Sequence, residues 1–398
     1  MRILLLVVYY LPSTMSSAKL IHDLSVEFHQ LGHEPVVVAP DENILTDSES
    51  TCENGIKVLR VRTGKIKTAS RLVRGFNEAR LSEIVWQKGR TYFEDNPCDL
   101  VIYYSPTIFF GSLVKRLKKL FDCPSYLILR DIFPQWAVDA GVLRKGIVYK
   151  YFKSKERQNY EAANIIGVQS PANLHYFKEN GLDKKYRLEV LYNWTALTEE
   201  NIQTCRYRDR MKLQGKVVFF YGGNIGVAQD IDNIIRLAKK LRNDESAYFL
   251  LVGDGSEVPR LKAEIALQSL NNIALHEAVG QREYLSMLSE FDVGLISLDR
   301  GLRTQNFPGK MLGYMYHSMP ILASINPGND LKMILEDGQA GLVCLNGEDE
   351  KFASDARNLL ANEDLRHRIG YNARALLENT FSVSRAAGQI LAHFSPEN

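Results

Sequence analysis

The feature that most constrains this chain is an alternation, kept up nearly end to end, of short apolar runs with amphipathic segments of helical period. Arg2 to Leu11 is followed by a stretch in which Ala18, Ile21, Leu24, Phe28 and Leu31 recur every three to four residues, and Gly32 then introduces Val36-Val37-Val38-Ala39. A strand, an amphipathic helix and a second strand make a βαβ unit, and repetition of that unit predicts a parallel α/β sheet. Further strands are predicted at Asp99 to Tyr103, Ser125 to Leu129 and Asn164 to Val168. The pattern lapses into a polar stretch from Tyr192 to Gly215 and restarts at Val217-Val218-Phe219-Phe220-Tyr221-Gly222-Gly223. Strands then follow at Tyr248 to Val252, Ile273 to His276, Val293 to Leu298, Ile321 to Ser324 and Gly341 to Cys344, and two long helical stretches close the chain.

At 398 residues the chain exceeds one ordinary core. We expect two doubly wound domains, residues 1–195 and 196–381, with a terminal helix at about 382–398 packing back on the first. Ligands of such sheets bind at the carboxyl ends of the strands, and the cleft between two such domains is the expected site. A net charge of +2 argues against a nucleic-acid binder. The 5 cysteines are odd in number and contain no CxxC, which favours a reduced, cytosolic protein over a disulfide framework. Arg2 to Leu11 is too short for a signal peptide, and no run of eighteen apolar residues predicts a membrane span. The 8 histidines show no ligand spacing, so no metal site and no cofactor are predicted.

The richest local motif is Gln305-Asn306-Phe307-Pro308-Gly309-Lys310-Met311 between the runs at Val293 and Ile321. A Pro/Gly-opened helix start after a parallel strand offers backbone N–H groups and one lysine to an anion. Gly222-Gly223 and Gly253-Asp254-Gly255 are strand-to-helix turns that suit close approach of a phosphate or of another backbone. Ser16 and Ser17 are candidate N-cap residues or a phosphate loop, and Arg130-Asp131 is a candidate site pair. Asp230-Ile231-Asp232 mimics a DxD metal signature, but at a helix start capping and dipole compensation explain it better. From Gly55 to Asn77 the cations Lys57, Arg60, Arg62, Lys65, Lys67, Arg71 and Arg74 run without an acid among apolar residues, as in an interfacial membrane anchor; Lys115, Arg116, Lys118 and Lys119 form a second cluster.

Gly32 to Val38, Arg130-Asp131-Ile132-Phe133-Pro134, Tyr192-Asn193-Trp194, Tyr221 to Gly226, Gly253-Asp254-Gly255 and Phe307-Pro308-Gly309-Lys310 stand in the order and spacing of family-4 glycosyltransferases. Over nearly its whole length the chain resembles the members that transfer N-acetyl-L-fucosamine or related amino sugars in bacterial O-antigen and capsule synthesis. The resemblance implies the GT-B fold, a UDP-sugar donor, a polyprenyl-diphosphate-linked sugar acceptor, retention of anomeric configuration, and a cytoplasmic enzyme peripheral on the inner membrane face. It implies catalytic roles for Lys310, Arg130 and Asp131. Donor contacts are implied for Gly222, Gly223, Asn224, Gln229, Gly253, Asp254, Val279, Gln305, Phe307, Pro308, Gly309 and Met311, with Ser16 and Ser17 near phosphate or acceptor. The membrane patch would comprise Arg62, Lys65, Lys67, Arg71 and Arg74.

The chain departs from that pattern at four positions. Where many members carry Arg and Lys, it has Asn224 and Gln229; where many carry two glutamates, it has Gln305 and Gly313. The alternatives are a sugar-nucleotide epimerase of the same fold or a non-catalytic member of a polysaccharide complex. A nicotinamide dehydrogenase is disfavoured because Ser13 to Ser17 replaces the glycine fingerprint.

Overall fold

A computed structural model describes residues 1–13, 15–64, 71–139, 141–197, 206–302 and 307–394; of residues 71–76 and 281 it describes the backbone. The chain divides into two compact units, Met1–Ala196 with Val383–Asn398, and Leu197–Ser382.

Among its described residues the first unit holds eight strands: β1 (Arg2–Leu6), β2 (Glu34–Asp41), β3 (Ser48–Glu53), β4 (Ile56–Arg62), β5 (Leu100–Tyr104), β6 (Ser125–Leu129), β7 (Ile165–Val168) and β8 (Leu188–Val190). Their order is β3-β4-β2-β1-β5-β6-β7-β8, and all pairs are parallel except β3 with β4. The central strands β5 and β6 are buried at every position because helices cover both faces of the sheet. One face is packed by Leu81, Val85, Phe93, Leu113 and Leu117. The other is packed by Ile21, Leu24 and Phe28 together with Val383, Ala387 and Ile390. The terminal helix Val383–Leu391 thus completes the core of a sheet nearly two hundred residues earlier in the chain. Its start is pinned by the Val383 N–H donating to the Thr195 carbonyl at 3.0 Å. Gln389 Nε2 donates to the Val190 carbonyl at 2.8 Å.

The β3–β4 hairpin gives the start of the basic segment, residues 55–62, a place in the sheet. Asn54 and Gly55 have φ of 50° and 83°, the left-handed pair that a tight hairpin turn requires. Residues 56–62 are therefore sheet residues with Ile56, Val58, Leu59 and Val61 buried.

The second unit holds β9 (Val217–Gly222), β10 (Ala247–Val252), β11 (Ile273–His276), β12 (Val293–Ser297), β13 (Ile321–Ile325) and β14 (Gly341–Leu345) in the order β11-β10-β9-β12-β13-β14. Every described pairing is parallel. The strand order reverses between β9 and β12, and the carboxyl ends of that pair form the crevice where a doubly wound sheet receives a ligand.

Candidate functional site

At the carboxyl end of β9 the chain turns through Gly222 to Gly226. A Cβ on Gly222 would lie 2.3 Å from the Tyr284 ring, so only glycine lets that ring pack there. Gly223 has φ of 119° and is exposed. Its N–H donates to the Val252 carbonyl at 2.9 Å, and the Ile225 N–H donates to the Asp254 carbonyl at 2.8 Å. The turn after β10 is thereby laced to the turn after β9. A Cβ on Gly253 would stand 1.8 Å from the Gly223 oxygen, and one on Gly255 2.1 Å from the Ile225 oxygen. These glycines serve the close approach of two backbones, while Asp254 Oδ1 accepts from the Gly255 N–H at 2.7 Å.

Lys310 comes to this double turn from the far side of β12. Its helix, Lys310–Tyr316, is short, and Tyr314 within it bridges the strands: its hydroxyl accepts from the Gly222 N–H at 3.2 Å and donates to the Leu295 carbonyl at 3.3 Å. That bridge places the Lys310 ammonium 3.3 Å from the Tyr221 ring centroid. A Cβ on Gly223 would touch Lys310 Cε and Nζ at 3.7 Å. Lys310 is half-buried, and among the described residues it has neither a carboxylate nor a hydrogen-bond acceptor. Desolvation pushes its pKa well below the usual lysine value. A cation held on an aromatic face beside a glycine turn, with its counter-charge missing, is an arrangement that an incoming anion completes.

Several expectations require correction. The N–H groups of Phe307 to Met311 do not form a free cradle: residue 308 is a proline, and the Met311 N–H already donates to the Pro308 carbonyl at 3.0 Å. Phe307 and Met311 are buried, Phe307 against Phe381 with ring centroids 6.3 Å apart, so both are packing residues. Pro308 is half-buried and Gly309 exposed, while Gln305 lies outside the described residues. Asn224 and Gln229 are wired to each other, the amide of Asn224 donating to Gln229 Oε1 at 2.8 Å. The Gly226 N–H shares that acceptor at 3.2 Å. Val279 is half-buried in the loop after β11, at the same end of the sheet.

Asp230 does not cap a helix with its side chain. It sits in the left-handed region at φ of 39°, and its carboxylate accepts from the Asn346 amide at 2.8 Å, with Arg236 3.9 Å away. Asp232 pairs with Arg260 at 2.6 Å. Among the described residues no cluster of acidic, histidine or cysteine side chains is arranged to hold a metal.

In the first unit, Ser16 and Ser17 occupy the first turn of the helix Ser16–Gln30, whose N-cap is Met15 without a side-chain cap bond. The serine cap is therefore absent, and Ser17 is buried. Arg130 is not a free cation. One guanidinium nitrogen donates to the Leu191 carbonyl at 2.7 Å, another reaches the Tyr192 carbonyl at 3.4 Å, and the group lies 5.3 Å from the Trp194 ring centroid. It ties the loop after β6 to the loop after β8, which explains Tyr192-Asn193-Trp194 as a structural motif. Asp131 beside it is half-buried; burial raises its pKa, and Arg130 opposes the rise.

The basic segment also reads differently. Lys57 lies 3.9 Å from Glu34, Arg60 is buried on Glu53 with its Nε at 2.8 Å, and Arg62 pairs with Asp47 at 3.1 Å. Lys65 and Lys67 fall outside the described residues, as do the side chains of Arg71 and Arg74. In the second cluster Lys115 pairs with Glu161 at 3.3 Å, Arg116 with Glu83 at 2.7 Å, and Lys118 donates to Asn164 at 2.6 Å. Among the described residues no helix is long and apolar enough to cross a membrane.

Sequence reasoning overlooked Tyr221, Tyr284 and Tyr314. All three lie on apolar faces where tyrosine passes for core, and only the shared neighbourhood of Gly222 and Lys310 marks them.

Residues 206–376 match the family described as Glycosyl transferases group 1. The Probable glycosyltransferase WbjE of Pseudomonas aeruginosa is 27% identical over 223 residues, 55% of this chain and 55% of that protein. A protein of Escherichia coli K12 ascribed to colanic acid biosynthesis as glycosyl transferase WcaI is 23% identical over 63% of each chain. The alignments thus span less than two thirds of these relatives' lengths. Among solved structures, sucrose-phosphate synthase from Thermosynechococcus elongatus superposes with a TM-score of 0.71 at 15% identity, covering 99% of this chain and 98% of that one. HepE from Anabaena, solved in complex with UDP and glucose, superposes with a TM-score of 0.66 at 15% identity over 99% of each chain. The chain therefore has the α/β GT-B fold of two Rossmann-like domains, and residues 206–376 resemble the Glycosyl transferases group 1 family.

Proposed function

We propose that the protein transfers an amino sugar, N-acetyl-L-fucosamine or a close relative, from a UDP-sugar to a polyprenyl-diphosphate-linked sugar during O-antigen or capsule synthesis. The observation that carries this reading is the ammonium of Lys310 over Tyr221, without a carboxylate among the described residues, beside the exposed Gly223 at the carboxyl ends of β9 and β12. When the bond from the anomeric carbon to the UDP oxygen breaks, negative charge grows on the diphosphate. A cation fixed beforehand in partly desolvated surroundings stabilises that charge without reorganising. The two positions where relatives of this pattern bring further cations are Asn224 and Gln229, which leaves Lys310 with a larger share of the work. The reaction needs no metal in this scheme, since Asp230 and Asp232 already have amide and guanidinium partners.

One relative supports an amino sugar as the group transferred. The matched proteins include an alpha-D-kanosaminyltransferase of Streptomyces kanamyceticus, 25% identical over 185 residues, which is named for an amino sugar. A lipid-linked acceptor puts the enzyme on the cytoplasmic face of the inner membrane as a peripheral protein, with residues 1–195 and the terminal helix receiving the acceptor and residues 196–381 the donor.

The test is incubation of the purified chain with a panel of radiolabelled UDP-sugars and lipid-linked N-acetylglucosamine. Label in the lipid fraction supports the reading. Conversion of the donor to its epimer without transfer identifies the epimerase alternative, and donor binding with neither product identifies a non-catalytic partner.

A further inference from the structure

We propose that residues 136–139 and 141–151 of the first unit form a surface that docks on an anionic phospholipid bilayer. The proposal rests on the lipid-linked acceptor of the preceding section for the choice of occupant, and on the following observations for its place. Trp136, Val142, Ile147, Val148 and Tyr151 are 41%, 61%, 88%, 55% and 43% exposed. Elsewhere in this unit the exposed large apolar residues, Met15, Leu31, Leu45 and Leu120, are scattered along the chain. Isolated exposed leucines are normal in soluble proteins, whereas a concentration of this kind marks an interaction surface.

The charge around these side chains selects the partner. Arg144, Lys145 and Lys150 are exposed, and among the described residues none of them has an ion pair. The cations on β4 and on the helix Gly111–Phe121 behave differently, since Lys57, Arg60, Arg62, Lys115 and Arg116 each have a carboxylate. From Val142 to Lys155 there is no acidic residue. The flanking acids are engaged: Asp139 accepts from Gln135 at 2.7 Å, and Glu156 is buried with Lys153 on it. A surface of apolar residues interleaved with free cations would leave those cations desolvated against an apolar protein partner. An anionic bilayer accepts them in any register while the apolar side chains enter the boundary between headgroups and acyl chains.

The aromatic residues have the right form and support. Trp and Tyr favour the membrane interface because one end is apolar and the other polar. Here they are braced from below: Phe133 lies 6.0 Å from Trp136 and 5.0 Å from Phe152, which lies 5.6 Å from Tyr151. Trp136 and Tyr151 therefore stand on an aromatic support that limits the ordering left to occur on docking.

The experiment is co-sedimentation of the full chain with vesicles of phosphatidylglycerol and phosphatidylcholine against vesicles of phosphatidylcholine alone. Wild type should sediment with the anionic vesicles, less as salt rises, and not with the neutral ones. R144E/K145E/K150E and I147S/V148S should each weaken partition at least tenfold, roughly what loss of two or three surface cations or two inserted side chains produces. Of the 3 tryptophans, Trp194 is buried and Trp86 is half-buried with its ring stacked on Phe93, so the exposed Trp136 is the natural reporter. Anionic vesicles should shift its emission to the blue, and W136F should abolish the shift. UDP binding serves as the folding control and should be unchanged in every variant; its failure in wild type would overturn the donor assignment without touching the vesicle result. Both multiple variants sedimenting like wild type would overturn the proposal. So would a change from dimer to monomer in these variants with vesicle binding intact, which would give the surface to a second copy of the chain.

Discussion

Replacing Lys310 by Met separates the two consequences of an uncompensated cation. Met keeps an unbranched stem to fill the space beside Gly223 and over Tyr221 but removes the charge. In the free protein the ammonium gains about 1–2 kcal/mol from the Tyr221 face. Removing a cation from water without a counter-ion costs several kcal/mol. The sum is unfavourable, in agreement with the lowered pKa. Because the folded pKa lies below the unfolded value, wild type carries the full penalty at pH below the folded pKa. The penalty shrinks as pH rises from there toward the unfolded value of about 10.4 and vanishes above it. Lys310→Met should therefore melt at or above the wild-type temperature near neutral pH, and the advantage should disappear as pH rises. The same substitution removes a preorganised charge from the departing diphosphate, worth roughly 3 kcal/mol, so transfer should fall by ~10²-fold or more. Saturating UDP at about 100 times Kd stabilises a binding-competent protein by about 2.7 kcal/mol, and the variant should lose most of that increment. Thermal melts across pH with and without UDP, together with initial transfer rates, measure all three effects. A variant that melts well below wild type without ligand, or transfers within threefold of it, would refute the account of Lys310 as a cation awaiting its anion.

Three further outcomes are expected. Transfer should survive excess EDTA, because Asp230 and Asp232 are engaged by Asn346 and Arg260; an absolute requirement for Mn²⁺ or Mg²⁺, restored by titration, would contradict this. Gly253→Ala should destabilise the second unit by several kcal/mol, since its Cβ would stand 1.8 Å from the Gly223 oxygen and force the two turns apart; an unchanged melting temperature would refute the lacing of these turns. Arg130→Ala should cost about 2–4 kcal/mol of stability by leaving the Leu191 and Tyr192 carbonyls without their donor, whereas a large loss of rate in a fully stable protein would return Arg130 to the catalytic group.

Much of the fold was legible because its signals are local. Apolar runs mark strands buried on both faces, and three-to-four-residue spacing marks the helices between them, so β6 and β11 fall where the runs at Ser125 and Ile273 predict them. The β3–β4 hairpin was overlooked although its turn, Asn54-Gly55, is the strongest short-range hairpin signal; the polar β3 and the cations of β4 disguised an edge pair as a basic segment. The strand β8 is three residues long and half-buried, which leaves too little pattern to read.

The site divides along the same line. That a lysine and two glycine turns would lie at the carboxyl ends of the second sheet follows from their positions just after apolar runs. What each group does there depends on partners remote in sequence. Asp230 meets Asn346, Gly222 meets Tyr314, and Arg130 meets the carbonyls after β8. Capping rules and dipole arguments act within one turn of a helix, so the sequence could propose Asp230 and Ser16 as caps but had no means of weighing those local bonds against distant ones. Composition and periodicity determined where the strands and helices form, because each depends on neighbours within a few residues. The tertiary structure alone decided which charges were neutralised and which, like Lys310, have no counter-charge among the described residues, because that depends on what the packing of distant segments brings within a few ångströms.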